Sequence, residues 1–555
     1  MPKPTKVRFF VIAALMLMGV ILYVDRYAFG IAQPYIRQEL GLSKADFSYA
    51  VSSFFWFYAI GQMPAGWLSD SFGPRLLLTS YILIWSFFAA TVGLAGSLVM
   101  LCLARAAFGL GQAGAFPTAS AVVGRWMPAE QRGKASGFVA LGGRIGGAVV
   151  PILSAGLLVA FLPDNQSYIL TADQIIKPKE LASDIATAIA DDKVVPRYKS
   201  YIANQFASSF PAGTAYSPEV LATGLSKMIQ DKDFYQKQQF DALNSLDKFA
   251  TVQIEKLRQG DVLPIRDQER LNRHLLEAVF PENVQGLYVA SWRPTLFLFA
   301  GLGLLGALVT WIVLRDFPRL HPRVNKQELA LIIGESEDSQ GEAKLPVGEI
   351  LSCPSVWMSG LSQFCVNIGW LFIVTWFVEY LMEEHHVAMA ERSDMIAVPL
   401  MVGFVGMLFG GVVTDKLAKR IGLRFGRAVP WTAAMILAAV CFLSCPLLAD
   451  PWAVTWAMAF VALSVDFSVP SMWAFTQDVG GRYVGVVLGF GNMFGNFGAA
   501  VSPILLAQVQ ELYGWNAMFY LCGVMFLVAG LAAIFVDASR PIKSIDYDIR
   551  KSSGG

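Results

Sequence analysis

The chain has 555 residues, 55% of them hydrophobic and only 15% charged, against about 25% charged in a soluble domain, so it is read as a polytopic membrane protein. Its formal net charge of +1, without a basic arm or tail, leaves no footprint for nucleic acid. No nucleotide-binding loop, nucleophile triad or metal-ligand cluster is present, which argues against an enzyme, and neither cofactor nor metal is expected.

Twelve apolar stretches are long enough to cross a bilayer, which takes about 20 residues of helix. They lie at 9–31, 47–69, 75–96, 98–121, 135–161, 291–314, 356–382, 394–418, 427–448, 452–475, 484–510 and 514–537. The first is too long for a cleavable signal peptide and has no small-residue cleavage site. Lys3, Lys6 and Arg8, then Arg125, Arg132 and Lys134, then Lys416, Lys419, Arg420, Arg424 and Arg427 fall on one side. The short loops near Gly93–Ser97 and Ala449–Pro451 are nearly free of Lys and Arg, so both termini are expected in the cytoplasm. The six cysteines (Cys102, Cys353, Cys365, Cys441, Cys445, Cys522) lie in or beside apolar runs with no C-x-x-C pair, and packing outweighs a metal site. His385-His386 is expected in a solvated loop.

An internal repeat runs at a shift of about 350 residues. Gly66-Trp67-Leu68-Ser69-Asp70 echoes Gly411-Val412-Val413-Thr414-Asp415, and Gly143-Arg144-Ile145-Gly146…Pro151 echoes Gly495-Asn496-Phe497-Gly498…Pro503. Two parallel six-helix halves around a midplane site is a transporter plan. The expected fold is an all-α membrane protein of twelve transmembrane helices in two pseudo-symmetric halves. The domains are 1–161 (helices 1–5), 162–287 (an extracytoplasmic insert), 288–314 (helix 6), 315–350 (a cytoplasmic linker), 351–540 (helices 7–12) and 541–555 (a cytoplasmic tail). The insert is polar and reads as several amphipathic helices, for example Phe234–Leu243, forming a cap or remaining partly disordered. The linker is charged, with an amphipathic helix at Lys326–Ile333.

Inside the first span stands Tyr23-Val24-Asp25-Arg26. An ionised side chain at membrane depth costs about 2.5–3.5 kcal/mol on insertion scales and calls for a partner or a wet cavity. Asp25 and Arg26 are about 100° apart around a helix, so they face different neighbours. Arg26 is read as meeting an anion and Asp25 as holding a proton; the competing reading is a structural pair snorkelling to the interface.

Several motifs carry a family resemblance. Gly66-Trp-Leu-Ser-Asp70-Ser-Phe-Gly73-Pro-Arg75 resembles the loop signature of the major facilitator superfamily. Tyr23-x-Asp25-Arg26, Tyr58-Ala-Ile-Gly-Gln62-Met-Pro64, Arg105-x6-Gln112-Ala-Gly-Ala-Phe116-Pro117-Thr118, Phe372-Ile-Val-Thr375-Trp376-Phe377-x-x-Tyr380-Leu381 and Asn492-x3-Asn496 resemble its anion:cation symporter family, which includes hexuronate, galactonate and glucarate carriers. The resemblance covers both halves but not the insert.

It implies a secondary active importer of an organic anion, a sugar acid such as a hexuronate or aldonate, coupled to protons and working by alternating access. The span-one Asp and a span-four Glu are the family's proton sites, and the span-one and span-four Arg serve the anion or its gate. The matching positions are Asp25, Gln112, Arg26 and Arg105. Gln112 departs from the pattern because an amide takes up no proton in the working pH range. Asp466 in span ten and Arg144 in span five are further intramembrane charges. Arg144 is read as a second contact for the substrate and Asp466 as a carboxylate for substrate or coupling; alternatively the two pair only to hold helices together. Tyr23, Tyr58, Thr375, Trp376, Asn492 and Asn496 match positions that bind sugar hydroxyls, with Trp376 alternatively a belt residue. Asp70, Arg75 and Asp415 are the expected cytoplasmic gate, closed by charge pairing. The partners are then a small organic anion, a proton (or sodium) and the lipid bilayer, with the chain a monomer in a bacterial inner membrane. The rivals are a sodium-coupled or uncoupled carrier of phosphate or a dicarboxylate, an organic-acid exporter, and a receptor-like sensor using the insert.

Overall fold

A computed structural model describes residues 3–162, 167–190, 195–210, 216–240, 243, 248–333, 347–385, 387 and 389–542. In chain order the first seven helices are α1 (Val7–Ile31), α2 (Gln33–Leu40), α3 (Lys44–Phe72), α4 (Pro74–Gly93), α5 (Leu98–Ala113), α6 (Ala115–Trp126) and α7 (Arg132–Ala160). Then come α8 (Pro178–Ala190), α9 (Arg197–Ser209), α10 (Pro218–Gln230), α11 (Lys237–Phe240), α12 (Lys248–Arg258) and α13 (Ile265–Val279). The rest are α14 (Trp292–Val313), α15 (Lys326–Ile333), α16 (Val347–Leu351), α17 (Pro354–Leu371), α18 (Phe377–Glu383), α19 (Met389–Ser444), α20 (Pro451–Gly480) and α21 (Val484–Ile534). Nine helical segments among the described residues are long and apolar enough to cross a membrane. Two of them, in α19 and α21, are interrupted by a glycine at positive φ: Gly422 (φ 81°) and Gly514 (φ 78°). That conformation suits glycine and reverses the chain between consecutive helices.

The chain divides into two units. The first comprises residues 1–30, 48–152 and 296–555. Its core has an N-terminal cluster built around Leu22, Phe54, Trp85 and Phe108, and a C-terminal one around Phe372, Phe442, Phe519 and Phe526. Close helix packing repeats between the halves. A Cβ on Gly146 would stand 2.5 Å from the Val20 carbonyl of α1, and one on Gly498 2.3 Å from the Phe364 carbonyl of α17. Both glycines let helix backbones touch, as membrane helix pairs require. At the start of α1, Glu328 of α15 accepts from the Thr5 hydroxyl (2.5 Å), the Val7 and Arg8 amides (3.2 Å each) and Arg8 Nη1 (3.1 Å), clipping the linker helix to the helix N-terminus. The helix expected at Lys326–Ile333 is present with those bounds.

The second unit comprises residues 31–47 and 153–295 and has a core of its own, including Phe206, Leu225, Phe234, Leu271 and Leu275. Buried Arg273 donates to Glu277 Oε1 (2.6 Å) and to the carbonyl of Gln285 (2.5 Å). Asn272 Nδ2 closes the end of α10 by donating to the carbonyls of Met228, Ile229 and Asp231. Phe234–Leu243 is not the amphipathic helix its pattern suggests. Among the described residues of this stretch only the single turn Lys237–Phe240 is helical, and Phe234, Phe240 and Leu243 are drawn into the core at spacings a continuous helix does not match. His385 is not simply solvated: its Nε2 is 2.9 Å from the Tyr380 hydroxyl. His386 lies outside the described residues.

Candidate functional site

Asp25 and Arg26 do face different neighbours. Arg26 donates through Nε (3.1 Å) and Nη2 (3.0 Å) to Gln112 Oε1. Its Cζ lies over three rings, Tyr58 at 4.5 Å, Phe54 at 5.0 Å and Tyr23 at 5.1 Å. Cation–π contact of this kind favours a desolvated guanidinium. Gln112 is fully buried, and its Nε2 donates to the Leu22 carbonyl (3.1 Å), which fixes the amide with its oxygen toward Arg26. Asp25 turns the other way and accepts from Trp85 Nε1 (3.0 Å). Its Oδ1 and the Nε of Arg105 have no hydrogen-bond partner among the described residues. Both residues line a pocket of about 10 Å³ walled by Phe29, Phe108, Leu296 and Phe299, room for about one water molecule. Arg105 is caged by Phe29 (4.2 Å), Phe54 (4.6 Å) and Phe108 (5.2 Å).

A second cluster bridges the halves. Arg144 of α7 is hydrogen-bonded through Nη2 to Asp466 of α20, and its Cζ stacks 4.5 Å over Trp370 of α17. It adjoins the first cluster through Gly143, where a Cβ would meet Tyr23 Cε2 at 2.6 Å. Asn492 Nδ2 reaches Gln62 Oε1 of the other half at 3.4 Å, and Asn496 Nδ2 donates to the Asn492 carbonyl. Thr375 is exposed and back-bonds to the Leu371 carbonyl. It belongs, with Trp376, to a π-helical turn at Phe372–Trp376, the kind of bulge that often marks functional sites. Trp376 packs edge-on to Trp515 (6.4 Å). Thr375 and Trp376 make no hydrogen bond to the arginine clusters among the described residues.

One end of the bundle is closed by helix capping across the halves. Asp70 accepts from the Gly485 (3.3 Å) and Val486 (3.0 Å) amides at the start of α21. Asp415 accepts from the Gly133 and Lys134 amides (3.0 Å each) at the start of α7. Both carboxylates meet the positive end of a helix. Arg427 joins Asp415 (3.3 Å) to Asp478 (2.9 Å), and Arg132 reaches Asp478 from the other half (3.0 Å). Arg75 is a correction. It does not pair with Asp70; its Nε donates to the Trp311 carbonyl (3.1 Å) and its Cζ stacks 3.9 Å over the Trp311 ring. Gly73 (φ 92°) turns the chain so that the Arg75 amide meets Asp316 (2.8 Å) and the side chain follows α14. Asp70 instead has Arg125 at 4.0 Å. Sequence reasoning missed Trp85, Trp370, Arg427 and Asp478. Arg427 and Asp478 carried a usable signal, as charges at the ends of apolar spans.

These helices and clusters define a membrane transporter. The Major Facilitator Superfamily model matches residues 15–164 and 284–503, and the chain belongs to that family. It is 23% identical over 548 residues to the probable sulfoacetate transporter SauU of Cupriavidus necator, covering 98% of this chain and 97% of that protein. It is 23% identical to the probable galactarate/D-glucarate transporter GudP of Escherichia coli (96% and 93% covered) and 25% identical to the hexuronate transporter of Bacillus subtilis (96% and 94%). Among solved structures it is similar in fold to the major facilitator transporter FucP in its outward conformation (TM-score 0.58, 14% identity, 96% and 100% covered). The relatives are transporters, not enzymes, and the resemblance to the anion:cation symporters holds.

Proposed function

We propose that this transporter imports a sugar acid or related organic anion, with Arg26 holding the carboxylate and Asp25 carrying the proton. One observation supports this most. Arg26, at membrane depth, donates to the neutral amide of Gln112, and no carboxylate lies within 4.0 Å of it among the described residues. A guanidinium left without a counter-ion in a low-dielectric site is costly, and a planar carboxylate from outside supplies that charge with two parallel hydrogen bonds. Tyr23, Tyr58, Asn492 and Asn496 then offer hydroxyl and amide groups to sugar hydroxyls, with Thr375 and Trp376 contributing from the π turn. The relatives named for sugar acids favour the same class.

Twelve spans fit this reading. Gly422 and Gly514 each divide one long helix in two, and α3, at 29 residues, adds a further span. Both termini and the capped end then face the cytoplasm of a bacterial inner membrane, the insert faces the other side, and the chain works as a monomer. Coupling follows from charge. A neutral Asp25 leaves the arginines to the substrate; an ionised one competes for them. Uptake of a monocarboxylate into proteoliposomes therefore rises as external pH falls. Asp25→Asn abolishes gradient-driven accumulation while exchange persists. Accumulation by Asp25→Asn against a concentration gradient would remove Asp25 as the coupling site. Gln112 favours one second reading, an uncoupled or sodium-driven carrier, which predicts accumulation indifferent to the proton gradient.

A further inference from the structure

We infer that Arg144 is a second anion subsite, held by Asp466 until an anionic group displaces it, and that the transporter selects substrates with an anionic group at each end. This rests on the reading of Arg26 as the first carboxylate site. Arg144 has five N–H donors and makes one hydrogen bond among the described residues, to Asp466. Its side chain is 21% exposed, whereas that of Asp466 is 2% exposed, so the guanidinium is partly accessible and the carboxylate is buried. The seat for Asp466 is made by Gly403 of α19, where a Cβ would come within 2.5 Å of Oδ2. Trp370 stacks on the guanidinium and holds its plane. Tyr23 packs against Arg26 (5.1 Å from its ring) and against the Gly143 turn of α7, and both Arg26 and Arg144 act on it electrostatically, so the two guanidinia have this ring as a common neighbour.

A single Nη2 contact leaves the planar fork unused, and a substrate carboxylate or sulfonate in the fork makes the stronger, two-bonded pair. Asp466 is the internal stand-in for that group. Arg144 is the only cation within 4.0 Å of it among the described residues, and the other titratable groups near the pair are Tyr23 and Tyr27 of α1. Once displaced, the buried Asp466 carboxylate has lost its counter-charge and takes a proton from solvent. The second anionic group thus enters with one proton, and the net charge added at this subsite is zero.

Gluconate and glucarate differ only at carbon 6, an alcohol in one and a carboxylate in the other, and test this directly. Binding to the purified full-length protein is measured with each acid, with proton uptake followed by a pH indicator. The wild type is expected to prefer glucarate at least about tenfold, or about 1.4 kcal/mol, and to take up a proton with glucarate that gluconate binding does not require. Asp466→Asn raises the preference and removes that proton. Arg144→Gln lowers the preference to near one. The double variant Arg144→Gln/Asp466→Asn, a neutral pair that leaves no buried charge stranded, does the same and guards against misfolding of the single change. If both acids weaken together, so that the ratio survives in the double variant, the pair is only a brace and the inference is overturned; a wild-type ratio near one overturns it too. If neither acid binds, the sugar-acid reading fails, and sulfoacetate against acetate decides the subsite by the same ratio. Absence of binding by all four overturns both.

Discussion

Two hydrogen bonds of Arg26, from Nε and Nη2, end on one oxygen, that of Gln112. Replacing that amide by a carboxylate changes the chemistry without changing the shape. In Gln112→Glu the Leu22 carbonyl loses its donor, and at neutral pH the new carboxylate holds Arg26 with a charge-assisted bond about twice as strong as the neutral one. The substrate must now displace it. We expect monocarboxylate affinity about tenfold weaker at pH 7.5, or about 1.4 kcal/mol, recovering as acid neutralises the glutamate; equal affinities at both pH values would show that Gln112 does not compete with the ligand. Asp25 and Arg26 were legible because intramembrane charge is rare enough to stand out, whereas Arg105 and Gln112 came from the family resemblance. The sequence did not place Arg75. An Asp and an Arg five residues apart look like a pair, but the direction of Arg75 is set by Gly73 at positive φ and by Asp316, 241 residues away. Nothing local encodes a partner at that distance.

At the scale of helices, the capped end depends on backbone approaching backbone. A Cβ on Gly66 of α3 would stand 2.2 Å from the Gly485 carbonyl of α21, and neither backbone can yield without moving its helix. Gly66→Ala should therefore part the halves at this end and raise the population of the state open there. Spin labels at Glu130 and Lys419, an exposed pair 3.9 Å apart across the halves, should show a longer-distance population in Gly66→Ala; an unchanged distance distribution would mean that this contact does not hold the end closed. In the second unit, α13 relies on Glu277. Burial alone would raise its carboxyl, but the hydrogen bonds and charges of His274 and Arg273 outweigh that and hold it below its ordinary value of 4.5. The sign follows from the lowered value. The contribution to stability is complete above about 4.5 and is lost as pH falls through the lower folded-state value. Glu277→Gln should cost about 2 kcal/mol, less than the about 3–5 kcal/mol of a stripped buried pair, since the amide oxygen and the Gln285 carbonyl still accept from Arg273. Hydrogen exchange across Ile265–Val279 at pH 7 reads this as lost protection, and intact protection would place the stability of α13 elsewhere. The π turn at Phe372–Trp376 was not legible, because apolar periodicity reads the same through one widened turn. Nor was the Glu328 clip, whose partners lie about 320 residues away.

For the whole molecule, hydropathy locates most spans but passes over α3. Helix α3 is 29 residues long yet is not among the nine segments apolar enough to cross a membrane, because the face that carries Tyr58, Gln62 and Asp70 is polar. The helices that carry Asp25, Arg26, Arg105, Gln112, Arg144 and Asp466 keep their membrane signal, so α3 is the exception. The insert raises the opposite question, since it is largely helical over its described length and has a core of its own. A receptor-like module and an inert cap make different demands on it. A cap contributes no ligand contact, and the arginine clusters are built entirely from the first unit. Excising residues 170–284 and joining the ends with a short Gly/Ser linker keeps the contacts of Glu39 with Trp292 (2.5 Å) and Arg293 (2.8 Å), so the flanking helices retain a tie. We expect uptake to persist in the shortened protein with its substrate preference intact. A folded bundle that has lost uptake, or that has changed which acid it prefers, would assign the insert a part in recognition and move the first encounter with substrate away from Arg26.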